Sequence, residues 1–151
     1  MLLAELTAEK DILVGKLGCV CCPKAFYAYV GSAMNGLEAR LAHHLKGNKK
    51  PHWHIDYLLK EAKVSEIILC PSESFALQGR LRGECFLARA LATEFQSVPG
   101  FGATDCKCKS HLYFEDKKDK LTSKVTEAIK QAGLNYKIFF PKERENGTRV
   151  W

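Results

Sequence analysis

The stretch Phe26-Tyr27-Ala28-Tyr29-Val30-Gly31-Ser32 decides the fold class, together with residues 37–45 that follow it. The first stretch is aromatic and β-branched and stops at Gly31, which predicts a strand. In the second, leucines recur at every fourth position, which predicts an amphipathic helix. Strand and helix patterns alternate along the rest of the chain in the same way.

The remaining periodicities extend this pattern in both directions. Further strands are expected at 2–6, 12–17, 19–22, 64–70, 112–114 and 136–140. Further helices are expected at about 52–62, 84–95 and 121–132. The order predicts an α/β (α+β) domain with a small mixed sheet flanked by helices. We expect residues 1–115 to form this domain and residues 116–151 to add a helix and a strand packed on it.

Composition narrows the class of protein. The chain has 151 residues, of which 46% are hydrophobic and 26% charged, a profile typical of a globular domain rather than a disordered one. No apolar run approaches the roughly 18 residues that a membrane-spanning helix needs. The opening residues lack the basic region of a signal peptide, so we expect a cytoplasmic protein with no membrane partner. The net charge of +6 is compatible with a polyanionic partner.

Cysteine usage favours reduced thiols or a metal site. The count of seven is odd, so the thiols cannot all pair within one chain. The segment Asp105-Cys106-Lys107-Cys108-Lys109-Ser110-His111 could supply three zinc ligands, Cys106, Cys108 and His111, with Cys85 or another distant residue as a fourth. The alternative interpretation is packed or surface cysteine, because the common Cys-x2-Cys spacing is absent.

A polar constellation surrounds the strand that opens this section. Tyr27 and Tyr29 share one face of that strand, because side chains alternate with a period of two. On the following helix, Arg40 and His44 are one turn apart and lie beside the leucine stripe. A guanidinium at that position can reach a phosphate across a cleft. The alternative is an aromatic sheet face beside a solvated arginine.

Two further side chains suggest chemistry. Glu84 falls within the apolar arc of the third expected helix, where a carboxylate either begins the helix or holds a cation such as Mg²⁺. His52 and Asp56 are one turn apart on the second expected helix, a spacing that predicts a paired imidazole and carboxylate. The alternative for that pair is helix capping and packing.

Several of these segments resemble a known family. Tyr29-Val30-Gly31-Ser32 with Leu37-x2-Arg40-x3-His44 resembles the second motif and following helix of the GIY-YIG nuclease superfamily. The chain is also similar, over about 2–114, to a small uncharacterised prokaryotic family at the edge of that superfamily, found in some members beside an endonuclease III-like repair enzyme. The segments that carry this similarity are 14–18, 29–33, 52–58, 99–102 and 105–112.

The resemblance implies a metal-dependent DNA endonuclease that cleaves phosphodiester bonds, with a role in DNA repair and a repair protein as partner. By that resemblance, Tyr29 positions the attacking water, Arg40 stabilises charge on the phosphate and Glu84 binds Mg²⁺ or Mn²⁺. His44 lies where several superfamily members have a histidine. The side chains expected to contact nucleic acid are Lys46, Lys49, Lys50, His52 and His54.

One motif of the superfamily is missing. Its first motif carries Gly-x-Tyr, and no such tripeptide precedes Tyr27. Either that tyrosine is missing or Tyr27 serves in its place from the adjacent strand. Three functions therefore stay open: an active nuclease, a catalytically inactive nucleic-acid-binding module of the same fold, and a zinc-stabilised interaction domain.

Overall fold

The computed structural model describes residues 1–33, 36–71, 83–143 and 149–150. Over these residues the expected α+β class is confirmed. The strands are β1 (Leu2–Leu6), β2 (Lys10–Leu13), β3 (Cys19–Cys22), β4 (Ala25–Tyr29), β5 (Lys63–Leu69), β6 (Gln96–Ser97), β7 (Leu112–Glu115), β8 (Lys137–Phe139), β9 (Lys142–Glu143) and β10 (Arg149–Val150). The helices are α1 (Leu37–Leu45), α2 (His54–Leu58), α3 (Gly83–Ala92) and α4 (Lys118–Gln131).

A six-stranded sheet with the order β6-β7-β4-β1-β5-β8 organises the molecule. Each pairing within it is antiparallel. β1 lies near the centre, where Leu3 is opposite Ala28 of β4 and Leu2 is opposite Ile67 of β5. The pairs β2–β3 and β9–β10 form separate two-stranded sheets.

Both faces of the sheet are covered, so the fold has three layers. Along β1, Leu2, Ala4 and Leu6 pack on the face that carries α1 and α2. Leu3 points to the other face and packs among residues of α3 and α4. The alternation of strand side chains thus divides the core into two clusters, one on each side. Of the helices described, none is long and apolar enough to cross a bilayer.

Most expected elements are present with shifted ends. The strand expected at 12–17 is wrong in its second half, because the chain leaves β2 after Leu13 and forms a 3-10 turn at Gly15–Leu17. Gly15 has a φ of +46°, a left-handed conformation that ends the strand and that favours glycine. The helix expected at 52–62 is shortened to α2, because residues before His54 are extended. The short strand β6 was not expected.

The expected C-terminal extension supplies α4 and β8. Leu121 and Val125 of α4 are fully buried. They pack with residues of α3 on the sheet face to which Leu3 points. β8 pairs with β5 and forms one edge of the sheet. These contacts support the proposal that residues after 115 belong to the same cooperative unit as the residues before them.

We expect Leu121→Ala to lower the free energy of unfolding by about 2–5 kcal/mol, because it leaves a cavity in the core. Urea denaturation followed by circular dichroism should show one transition that moves as a whole. Leu13→Ala is the matched control, since Leu13 is 70% exposed and its loss should cost less than about 0.5 kcal/mol. Two separate transitions would instead show that α4 unfolds independently.

Candidate functional site

A pocket of about 780 Å³ opens where β4 ends. Its walls come from the turn after β4, the exposed side of α1, the segment before α2, the first turn of α3 and the loop that precedes β7. The lining residues are Tyr29, Val30, Gly31, Ser32, Ala33, Gly36, Ala39, Arg40, His43, His52, Trp53, His54, Glu84, Gly102, Thr104, Asp105 and His111.

The ring of Tyr29 lies at the base of the pocket between two glycines. A Cβ on Gly31 would lie 3.0 Å from one ring carbon of Tyr29, and a Cβ on Gly102 would lie 3.0 Å from another. Gly102 also has a φ of +69°, which side chains rarely adopt. Burial raises the pKa of Tyr29, and the nearby charge of Arg40 only partly offsets this effect. The phenol therefore remains protonated at neutral pH.

Arg40 is held over an aromatic ring at the side of the pocket. Its Cζ lies 4.6 Å from the ring centroid of Trp53, a cation–π contact. It also approaches the turn after β4, where a Cβ on Gly31 would lie 3.6 Å from its Nη2. Stacking uses the flat face of the guanidinium and leaves its edge donors for hydrogen bonds to an anion.

Asp56 joins α1 to α2 behind the pocket. Its Oδ2 accepts a hydrogen bond from His43 Nε2 at 2.9 Å, and its Oδ1 accepts from His44 Nδ1 at 2.9 Å and from Lys49 Nζ at 3.1 Å. The backbone amides of His52 and Trp53 also donate to Oδ2, each at 3.0 Å. The Asp56 side chain is fully buried, and all of its donors are therefore needed.

These hydrogen bonds determine the charge of the carboxylate. Burial alone would raise the pKa of Asp56, but the hydrogen bonds from His44, from the backbone amides of Trp53 and His52, and from His43 outweigh it. They hold the pKa of Asp56 well below its usual range, so the group is ionised at neutral pH. Lys49 supplies the compensating positive charge and also donates to the carbonyl oxygens of His43 and His44.

His54 and Glu84 reach the pocket from different elements. The backbone amide of Gly102 donates to His54 Nδ1 at 3.0 Å, so the neutral ring carries its proton on Nε2. Burial lowers the pKa of His54, which favours this neutral form. Glu84 lies in the first turn of α3 and, with Asp105, brings a carboxylate to the pocket lining. The site thus combines phenol, guanidinium, imidazole and carboxylate groups.

The structure separates the expected catalytic residues into two groups. Tyr29, Arg40 and Glu84 line the pocket, whereas Tyr27 and His44 do not. The Tyr27 hydroxyl donates to the Pro23 carbonyl at 2.6 Å, and burial raises the pKa of Tyr27. His44 is buried behind the pocket, where burial lowers its pKa, and no described group bonds its Nε2.

The expected nucleic-acid contacts also divide. His52 and His54 line the pocket, and Lys46 and Lys50 are exposed in the loop between α1 and α2. The Lys49 side chain is only 6% exposed, because its ammonium is used inside the protein. The His52 imidazole does not pair with Asp56: His52 contacts that carboxylate through its backbone amide. The alternative, helix capping, is confirmed, because Asp56 accepts backbone amides at the start of α2.

A cluster that could bind a metal ion adjoins the pocket. One ligand atom from each of Cys85, Cys106, Cys108 and His111 lies within 4.8 Å of all the others. The sequence had suggested Cys106, Cys108 and His111, with Cys85 as one candidate for a fourth ligand. His111 Nδ1 donates to the carbonyl of Val30 at 3.1 Å, which leaves Nε2 facing the thiols, 3.4 Å from Cys106 Sγ.

Burial and neighbouring thiols raise the pKa of two cysteines of the cluster. Burial and the nearby thiols of Cys108 and Cys106 raise the pKa of Cys85 to about 12. The pKa of Cys108 is raised as well, first by burial. Ionising all of these thiols together requires a cation to balance their charge.

Sequence reasoning missed several lining residues. Trp53, His43 and Asp105 reach the pocket only because the Asp56 network and the loop after β6 bring distant segments together. The sequence did contain a signal for the loop, the closely spaced glycines Gly100 and Gly102. In the structure both have a positive φ. Nothing in the local spacing indicated which side of the sheet this loop would reach.

Comparison with known proteins places this small α+β domain in a family. Residues 1–134 match the family described as "Domain of unknown function DUF123", and the chain belongs to it. The match extends through α4. No curated protein and no solved structure gives a significant match.

We expect Asp56→Asn to lower the free energy of unfolding by about 3–5 kcal/mol at pH 7. The substitution removes the negative charge that compensates the buried Lys49 ammonium and that accepts hydrogen bonds from His43 and His44. The difference from the wild type should shrink as the pH falls below the ordinary value of 3.8, since the unfolded carboxyl then takes up a proton before the folded one does. Urea denaturation at several pH values measures both effects. Asp11→Asn, at an exposed aspartate, is the control and should change stability by less than about 0.5 kcal/mol.

Proposed function

We propose that the pocket binds a nucleic-acid phosphodiester and cleaves it with the help of a divalent cation. The observation that carries this proposal is the convergence of Tyr29, Arg40 and Glu84 on one pocket of about 780 Å³. By the resemblance to the GIY-YIG nucleases, Tyr29 corresponds to the tyrosine of the second motif, Arg40 to the helical arginine, and Glu84 is the candidate for the metal-binding glutamate. The pocket is open to solvent and large enough for a phosphate group with its flanking sugars.

The donor set fits a hard cation at one end of this pocket. Glu84 and Asp105 offer carboxylate oxygens, the ligands that Mg²⁺ and Mn²⁺ prefer, and Mg²⁺ commonly needs only one or two of them. A divalent cation bound there would polarise the phosphate and lower the pKa of a bound water. This chemistry requires the carboxylate of Glu84 to be accessible at the first turn of α3.

The chain's own residues provide the rest of the mechanism. Arg40, fixed on Trp53, presents donors to a non-bridging phosphate oxygen and stabilises the charge that develops there. The protonated phenol of Tyr29 orients the nucleophilic water by hydrogen bonding. His54 presents its Nε2 proton to the pocket and serves as a second donor to the phosphate or the leaving oxygen.

Charge supports DNA as the substrate class. The net charge of +6 favours a polyanion, and exposed Lys46 and Lys50 lie in the loop that joins the two helices beside the pocket. The resemblance to a domain found beside an endonuclease III-like enzyme points to DNA repair, with a repair protein as partner.

We expect metal-dependent cleavage of end-labelled DNA, assayed on duplex, nicked, branched and single-stranded substrates with Mg²⁺, Mn²⁺ or EDTA. Arg40→Ala should slow the reaction by about 10²–10³-fold, because it removes a donor to the developing charge. Glu84→Gln should abolish cleavage, because it removes a carboxylate ligand of the cation. Glu94→Gln is the matched control, since Glu94 lies just after α3 and pairs with Lys124 away from the pocket.

Retention of full cleavage in both pocket variants would assign the activity to other residues or to a contaminant. Loss of cleavage in the Glu94 variant as well would indicate a folding defect instead. Circular dichroism of each variant distinguishes these cases.

The second candidate is a catalytically inactive nucleic-acid-binding module of the same fold. One observation favours it: Tyr27 does not occupy the pocket, and its hydroxyl is bonded to Pro23. Tyr27 therefore does not replace the tyrosine of the missing first motif. A pocket with only one of the two motif tyrosines can still bind phosphate through Arg40 and His54.

Both candidates share one expected result for DNA binding. Replacing Lys46 and Lys50 together by alanine should reduce the slope of log K against log salt by about two, since each phosphate contact contributes about 0.9 to that slope. Fluorescence anisotropy with labelled DNA at several salt concentrations measures this slope. Lys130→Ala on α4, on the opposite side of the sheet, should leave the slope unchanged.

The third candidate, a zinc-stabilised interaction domain, is favoured by the Cys/His cluster. Three thiols and an imidazole are soft or borderline donors, which select zinc over Mg²⁺. Because the cluster lies beside the pocket and uses different atoms, zinc binding there is compatible with either of the first two functions.

A further inference from the structure

We propose that Cys85, Cys106, Cys108 and His111 form a closed, tetrahedral zinc site that holds one wall of the pocket in place. This inference goes beyond the proposed cleavage activity and does not depend on it. The site assigns a role to a buried cysteine on α3 and to the short loop before β7. Neither is needed to explain cleavage.

The distances fit zinc without rearrangement of the backbone. Zinc–sulfur and zinc–nitrogen bonds of about 2.3 and 2.0 Å place neighbouring ligands of a tetrahedron about 3.5–3.8 Å apart. Cys106 Sγ and His111 Nε2 are 3.4 Å apart, and all the ligand atoms of the cluster lie within 4.8 Å of one another. The Cys85 thiol contacts the thiols of both Cys108 and Cys106. Small rotations of the side chains are enough to close the site.

The histidine is already oriented as a ligand. Its Nδ1 donates to the Val30 carbonyl, which fixes the ring and directs the lone pair of Nε2 towards the thiols. An imidazole held through its second nitrogen by a carbonyl is the usual outer-shell arrangement at zinc sites. His111 is only 4% exposed, so this orientation is maintained by packing on all sides.

Four protein ligands leave no open position on the ion, which defines a structural site rather than a catalytic one. The ion would cross-link three segments that are distant in sequence: the first turn of α3, the loop 106–108, and His111 at the start of β7. Through the His111–Val30 hydrogen bond it also connects to the end of β4.

The cross-link acts directly on the pocket wall. Glu84 is the immediate neighbour of Cys85, and Asp105 is the immediate neighbour of Cys106, and both line the pocket. Fixing the two cysteines on one ion therefore fixes the backbone that carries both carboxylates. Between Cys85 and the loop 106–108 themselves, the structure gives the weak contact of Cys108 Sγ to Cys85 O at 3.9 Å. The Tyr113 hydroxyl, which lies near both Ala88 O and Ser110 O, joins α3 to the chain further along.

We expect the purified protein, produced in zinc-supplemented medium, to contain one zinc per chain by elemental analysis. Cobalt substitution should give the visible absorption bands of a tetrahedral thiolate site. Cys106→Ser, in the half-buried loop, should weaken zinc binding by more than the roughly 10–100-fold that loss of an outer-shell partner costs. Cys19→Ser is the matched control, at an exposed cysteine of β3, and should retain the metal.

Hydrogen exchange measures the stability of the pocket wall that the zinc ion would hold in place. Removal of zinc by a chelator from the wild-type protein should increase exchange in residues 83–88 and 102–111 while β1 and β5 remain protected. Wild-type protein that takes up no zinc when zinc is supplied would overturn the proposal, as would full zinc occupancy in Cys106→Ser. Unchanged exchange in both segments after zinc removal would overturn the bracing role. None of these measurements requires cleavage activity, so the zinc site and the nuclease proposal fail or succeed separately.

Discussion

The buried carboxylate of Asp56 is the interaction on which the geometry of the pocket depends. A fully buried charge is tolerated only when donors surround it, and Asp56 obtains them from α1, from Lys49 and from the start of α2. The carboxylate therefore fixes the position of the backbone at the end of the loop between α1 and α2. Trp53 is held next to it by its own backbone amide, and Arg40 packs on the ring of Trp53. The position of the guanidinium thus follows from a charge that never contacts the pocket.

A second constraint acts from the opposite wall. The backbone of β4 continues into hydrogen bonds with His111, since Val30 N donates to the His111 carbonyl at 2.9 Å and His111 Nδ1 donates to the Val30 carbonyl. This connection brings the loop before β7 against Tyr29. The approach is close enough that a side chain at Gly102 would displace Tyr29 or His111, because its Cβ would lie 3.0 Å from the Tyr29 ring and 3.1 Å from His111 Cβ. The Tyr29 ring therefore packs between Gly31, which follows β4, and Gly102, which lies in the loop before β7.

The sequence predicted the elements well because hydrophobic periodicity is local. Leu2–Leu6, Cys19–Cys22 and Leu37–Leu45 have the ends that their own patterns predict. The 12–17 strand was wrong because a positive φ at Gly15 overrides the β-branched residues that precede it. α2 was predicted too long because its start depends on Asp56 accepting two backbone amides, and that carboxylate is fixed by distant histidines.

The part of the candidate site that could be predicted consists of residues that lie in recognisable sequence motifs. Tyr29, Arg40 and Glu84 could be named from sequence, and they do line one pocket. Lys49 could not be distinguished from its neighbours Lys46 and Lys50, because an exposed lysine and an internally paired one have the same local pattern. Cys85 could be suggested but not assigned, since only the fold decides which thiol from another segment meets the loop.

The pocket lining carries both a guanidinium, Arg40, and carboxylates, Glu84 and Asp105. With zinc bound, the Cys/His cluster would be net negative, because three thiolate charges exceed the charge of the ion. That negative charge would lie beside Glu84 and Asp105 and favour a second, hard cation there. Arg40 lines the same pocket, on Trp53, where it would favour a phosphate oxygen. A phosphodiester between them would meet a cation on one side and a guanidinium on the other, the arrangement that stabilises charge growing on the phosphate. Soft sulfur and hard oxygen donors would thereby support one proposed site, each selecting its own ion.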